Sequence, residues 1–316
     1  MATKRDDSRR DPASGIEPKD SNGTRRLASP ESTFRVCPNT ACPAAIARYL
    51  IAVNGKRRPL LACAFAVLAL FFFVSAWRFA AASRGIEGLA ASALATSMVA
   101  ISLAFAGGLW RRSTLTDALG LMPSHIGPLR LGVVALGTVG LSHLCGELLR
   151  RTPLWDDSIL QTIETALTGL TGEEWVFAAV GFVIAPAIGE ELLFRGLALR
   201  GLLSRLTPGG AILGSSILFG AAHLDPGQAI ATSVLGVYLG TLAFASRSTR
   251  GAILCHMLNN GVALASIGLA DPDLDATQTP AAAGGLLLAG LAAVAGVSAL
   301  IGLLRRRPAN SNPPPI

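Results

Sequence analysis

Residues 175–200 form an apolar stretch long enough to cross a bilayer, and within it stand Glu190, Glu191 and Arg195. A charged side chain at the bilayer centre costs about 2.5–3.5 kcal/mol on insertion scales, so such residues are retained where other helices enclose and satisfy them. A single lipid-facing anchor is therefore excluded. The chain must fold around these charges.

At 100° per residue, Glu191 and Arg195 share one helical face four residues apart, with the acid first, the favourable order for an ion pair. Glu190 points about 100° away and has no basic partner on its own helix. A carboxylate held from bulk water without a fixed counter-charge is the kind of group that serves as a general base near neutral pH. Glu190 is thus the candidate base, and Glu191 with Arg195 its brace. The plainer alternative is a buried ion network that sets helix register.

The composition fits this reading. Of 316 residues, 51% are hydrophobic and 15% charged, and the mean hydropathy is +0.50, too apolar for a soluble chain of this length. The spans expected are 60–82, 88–110, 130–149, 175–200, 210–224, 228–246, 251–269 and 281–304. They lack the alternation of outer-membrane strands, so the fold class expected is all-α, a polytopic integral membrane helical bundle of about eight transmembrane helices. Between the third and fourth spans, Leu154, Ile159, Ile163, Ala166, Leu167 and Leu170 share a helical face, as in an amphipathic helix lying at the interface.

Net charge is +7, yet residues 1–59 hold twelve Lys or Arg against six Asp or Glu, so the excess describes a tail and the topology, and no nucleic-acid partner is expected. The positive-inside rule places both termini in the cytoplasm, because Arg111, Arg112, Arg130, Arg200, Arg205, Arg247, Arg250 and Arg305 to Arg307 then lie on the inner side. The five cysteines contain no CxxC pair and read as free thiols. The expected division is a disordered cytoplasmic tail over 1–55, N-terminal spans over 56–129, a catalytic core over 130–270, a last span over 271–306 and a disordered tail over 307–316.

Three later positions turn an odd helix into a candidate site. Phe219-Gly-Ala-Ala-His223 and His256-Met-Leu-Asn-Asn260 each set two side chains one turn apart on one face. Glu190, His223, His256 and Asn260 thus converge on a polar cavity suited to peptide hydrolysis, with Glu190 and His223 on the water and His256 and Asn260 on the oxyanion. Depth is the obstacle: at about 1.5 Å per residue, Glu190 lies roughly 22 Å from the inner end of its helix but His256 only about 9 Å beyond Arg250. His143 and Glu147, four apart in the third span, read as a surface pair near Arg150 and Arg151.

Glu190-Glu191-x-x-x-Arg195, Phe219-x-x-x-His223 and His256-x-x-x-Asn260, in this order, resemble the three motifs of the CAAX protease and bacteriocin-processing (CPBP or Abi) family, whose eukaryotic relative is the Ras-converting endopeptidase. The resemblance covers about residues 130–270. It implies an eight-helix intramembrane endopeptidase whose site comprises Glu190, Glu191, Arg195, His223, His256 and Asn260, acting on membrane-associated peptides or proteins, and a bacterial inner-membrane location. A metal-free, glutamate-activated water is favoured, no cofactor being needed; zinc held by Glu190, His223 and His256 is the alternative, although no HExxH pair is present. Two non-peptidase readings also stand: an immunity or scaffold protein on the same fold, and a proton-coupled transporter, for which the pair of matched broken helices is not evident.

Overall fold

The computed structural model describes residues 85–111, 114–156, 158–269 and 280–305, all within one compact unit, Ile51–Ile316. The expected tails, 1–55 and 307–316, and the expected first span, 60–82, lie outside the described residues. The described residues form helices α1 (Gly85–Trp110), α2 (Leu115–Ala118), α3 (Pro128–Leu149), α4 (Ile159–Leu167), α5 (Glu174–Leu202), α6 (Pro208–Ala221), α7 (Pro226–Ser246), α8 (Arg250–Gly268) and α9 (Pro280–Arg305). Six of them, α1, α3, α5, α7, α8 and α9, are long and apolar enough to cross a membrane. This is a polytopic helical membrane bundle.

The span at 210–224, short for a full crossing by its length in the sequence, forms α6. Helix α6 has 14 residues, about 21 Å at 1.5 Å per residue, short of a ~30 Å hydrocarbon layer. It stops because Leu224 is left-handed (φ 56°) and Asp225 extended (φ −124°, ψ 121°) before Pro226, a residue that disfavours helical geometry in its predecessor. Asp225 then caps α7 through its carboxylate to the Gln228 N–H (2.7 Å). The amphipathic helix is present as α4, whose last residue Leu167, with Leu170 just beyond it, packs with Ala178, Val183 and Leu264.

Helix α5 is the axis of the bundle. α1 runs parallel to it and touches it through small residues: a Cβ at Gly181 would stand 2.7 Å from Ala90 O, and one at Gly189 2.7 Å from Ser97 O. α8 runs antiparallel, with Gly268 against the Trp175 ring and Gly261 facing Val183. Close backbone approach of this kind is the main source of helix association where lipid is as apolar as leucine.

Substituting Gly189 or Gly181 by Ala forces α1 away from α5 and should cost about 1–3 kcal/mol. The same change at Gly132 or Gly146, where an added Cβ meets nothing within 4 Å, serves as a neutral control. Thermal unfolding of purified variants in detergent reads the difference.

Candidate active site

Helix α5 winds more widely than an α-helix over Ala179–Ile184 and again over Leu192–Ala198, with the ordinary α-helical turns of Ala185–Glu191 between them. The first wide turn has a local cause. Pro186 carries no N–H, so the carbonyl four residues earlier, that of Phe182, loses its α-helical donor. Wide turns of this kind cluster at functional sites.

Glu191 is fully buried and Arg195 is 1% exposed. Arg195 Nη1 donates to Glu191 Oε1 at 2.8 Å, Nη2 donates to Gly236 O at 3.3 Å, and the guanidinium carbon lies 4.4 Å from the centre of the Phe219 ring. Three groups from three helices therefore satisfy one cation, as burial demands. Glu191 Oε1 also holds His256 Nδ1 at 3.0 Å. Its second oxygen, Oε2, is buried without a partner among the described residues.

The other nitrogen of the same imidazole, His256 Nε2, faces Glu190 Oε2 at 3.9 Å. The adjacent glutamates thus meet one histidine from two sides. Their environments differ: the Glu190 side chain is 22% exposed against 0% for Glu191. Glu190 makes no hydrogen bond among the described residues, and His256 is its nearest cation-forming partner.

His223 reaches this cluster indirectly. Its ring stands edge-on to Phe219, 5.0 Å between centroids, and Phe219 in turn lies 6.2 Å from the His256 ring. His223 Nδ1 is 2.9 Å from Phe219 O. A carbonyl only accepts, so Nδ1 carries the proton and Nε2 of a neutral ring is an acceptor. Asn260 lies one turn along α8 from His256 and donates from Nδ2 to Phe182 O at 2.9 Å, while its Oδ1 accepts from Asn259 Nδ2 at 3.1 Å. The structure thus joins Glu190, Glu191, Arg195 and His256, attaches His223 through Phe219, and turns Asn260 toward the backbone of α5.

The depth obstacle disappears because α8 does not start level with Arg205. Thr249, just before it, donates its hydroxyl to Leu119 O (2.8 Å) and its N–H to Gly120 O (2.8 Å). Leu119 itself lies against Gly196, and Gly120 beside the Arg200 side chain. The origin of α8 is therefore at the Gly196–Arg200 level, and seven residues, about 10 Å, carry it to His256 opposite Glu191.

Among the described residues no three His, Cys, Asp or Glu side chains stand together as a metal ion needs. Both His256 nitrogens face carboxylates, and His223 Nδ1 is held on its own helix. His143 is exposed, and Glu147 pairs with Arg150 and Arg151 in a polar ring that Glu164 of α4 joins.

Asp225 was not singled out from the sequence. It is 5% exposed and two residues from His223, and besides capping α7 it accepts from Ser158 Oγ (3.1 Å) and the Ile159 N–H (2.9 Å), tying α4 to the turn that carries His223. The signal was legible: Asp immediately before Pro, followed by Gly-Gln, marks a helix start.

Residues 157–262 match the family model described as type II CAAX prenyl endopeptidase Rce1-like. That stretch contains every candidate site residue. No curated protein and no solved structure matches the chain.

Replacing Arg195 by Met leaves Glu191 buried without its cation and should cost about 3–5 kcal/mol of stability, as uncompensated buried charges do. Adding Glu191→Gln in that background should recover part of the loss. Denaturant unfolding in micelles measures both.

Proposed function

We propose that this chain, whose residues 157–262 form an Rce1-like domain, is an intramembrane endopeptidase that hydrolyses peptide bonds of membrane-associated substrates with a water activated by Glu190. The observation that carries the reading is the opposed use of neighbouring carboxylates. One oxygen of Glu191 is engaged by both Arg195 and His256, while Glu190 makes no hydrogen bond among the described residues and retains exposure.

Two carboxylates face one guanidinium and the two nitrogens of one imidazole, which suits a site walled from water. His223 Nε2, an acceptor because Nδ1 is engaged, is suited to orient the water. Glu190 takes a proton from that water as its oxygen attacks the carbonyl carbon of the substrate. His256, held by Glu191, offers Nε2–H to the oxygen that becomes negative. Glu190 then passes its proton to the amide nitrogen as the C–N bond breaks, leaving an acid and an amine. No step needs a metal or an organic cofactor.

The substrate class follows from location. A site among membrane helices acts on peptides anchored in or drawn into the bilayer. The family description names a prenyl endopeptidase; for this chain we propose a membrane-associated peptide or protein, the chain being cytoplasmic at both ends in a bacterial inner membrane.

Glu190→Gln keeps the side-chain shape and removes the base. It should lower kcat on a membrane-anchored reporter peptide in proteoliposomes by roughly 10²–10⁴-fold, the usual worth of a general base, with expression and melting temperature unchanged. Turnover equal to that of the unaltered protein eliminates the mechanism. Exhaustive chelation should leave wild-type turnover intact, and a loss restored by zinc contradicts the metal-free account.

A further inference from the structure

We infer that Arg200, near the end of α5, and Arg111, just after α1, form a site for the phosphate group of an anionic phospholipid. About 15 Å of helix separates Arg200 from Glu190, so the site is independent of the peptidase reading.

Arg195 is met by groups from three helices; Arg200 is left unserved. Its Nε is buried without a partner, and its guanidinium makes no hydrogen bond or ion pair among the described residues. The wall beside it is the turn after α2. A Cβ at Gly120, whose φ is +66°, would stand 3.0 Å from Arg200 Nη1 and 2.9 Å from Thr249 Oγ1. Each carbonyl of that turn already has a donor. Asp117 O accepts from the Gly120 N–H (3.3 Å) and Ala118 O from Arg111 Nη1 (3.1 Å), while Leu119 O and Gly120 O accept from the hydroxyl and N–H of Thr249 (2.8 Å each). Asp117, the acid whose charge reaches Arg200, forms no ion pair with it and accepts instead from the Thr114 hydroxyl at 2.6 Å.

Positive charge is in excess here. Arg111 reaches Ala118, Arg200 lies against Gly120, and Arg250 follows Thr249, so three arginines come to a turn that carries one acid. A planar guanidinium fork matches phosphate oxygens two at a time and holds its charge even when partly desolvated. The surroundings select a lipid as the source. Trp110, exposed, closes α1 immediately before Arg111, and the exposed Leu109 and Met122 extend the apolar rim. An aromatic ring at the end of a span marks the headgroup level. Basic pockets between membrane helices at that level hold anionic head groups, and a soluble phosphate gains nothing from an apolar rim.

Lipid binding to the full-length protein in detergent tests the site without any turnover. Native mass spectrometry with phosphatidylglycerol and zwitterionic phosphatidylcholine at equal concentration should show phosphatidylglycerol retained in preference, and phosphatidylglycerol should raise the melting temperature. Arg200→Gln should weaken its binding by roughly 10–100-fold, the worth of hydrogen bonds to a charged group, and remove the thermal rise. Arg200→Lys, which keeps the charge but not the fork, should fall between the two, and it decides the matter where Arg200→Gln does not fold. Arg205→Gln removes an exposed arginine from the same end of the bundle and should leave both measurements unchanged. Binding that ignores the head group, or that survives undiminished in the Arg200 variants, overturns the inference. So does an equal loss in the Arg205 and Arg200 variants, which is attraction to net charge alone. A thermal rise given equally by inorganic phosphate, with no lipid retained, overturns the assignment to a lipid.

Discussion

The bundle is built around one neutralised charge. Arg195, 1% exposed at the centre of α5, would be intolerable in lipid, and groups on three helices meet it: a carboxylate from its own helix, the Gly236 carbonyl from α7, and the Phe219 face from α6. Those same three groups decide where the reactive ones go. Phe219 carries His223 on its edge, and Glu191 holds His256. The position of both imidazoles is thus a consequence of satisfying a cation that the reaction itself need not touch.

Helix association in a bilayer lacks the hydrophobic driving force of a soluble core, so register comes from small residues and from polar links that have only one satisfactory partner. Among the links from a side chain to the backbone of another element are Thr249 to Leu119, Asp225 to Ile159, and Asn260 to Phe182. Each lies next to a site-bearing segment. The first sets the origin of α8, the second holds the turn after His223, and the third ties α8 to the turn of α5 before Glu190. The apolar contacts then fill around them, Phe194, Leu193 and Leu197 packing with Ala100, Ala104 and Phe219.

Most of the spans were legible because hydropathy reports directly on the solvent each helix meets. The ion pair was legible for a similar reason, since four-residue spacing with acid before base has one geometric meaning in a helix. What escaped depended on helix ends and on capacity. Span lengths say nothing of where a helix begins in depth, so His256 looked too shallow until Thr249 was found seated on Leu119 and Gly120. Glu191 looked used up by Arg195, although a carboxylate oxygen accepts more than one donor and Oε1 takes both Arg195 and His256. That Asn260, on a helix more than seventy residues on in the chain, donates to the Phe182 carbonyl could not be read from the sequence.

The two glutamates show why adjacency on a helix is useful to such a site. Residues one apart diverge by about 100°, too far to share a partner on their own helix. An imidazole from an antiparallel neighbour has nitrogens on two edges and can meet both: Nδ1 at Glu191, Nε2 toward Glu190. The histidine is thereby oriented by the carboxylate that is buried and paired with Arg195, and it faces the one that is partly exposed. Exchanging their burial would leave the orienting group wet and the reactive one locked. The asymmetry follows from α5 itself, whose Arg195 lies four residues after Glu191 and five after Glu190, so that only one of the pair can be neutralised within the helix.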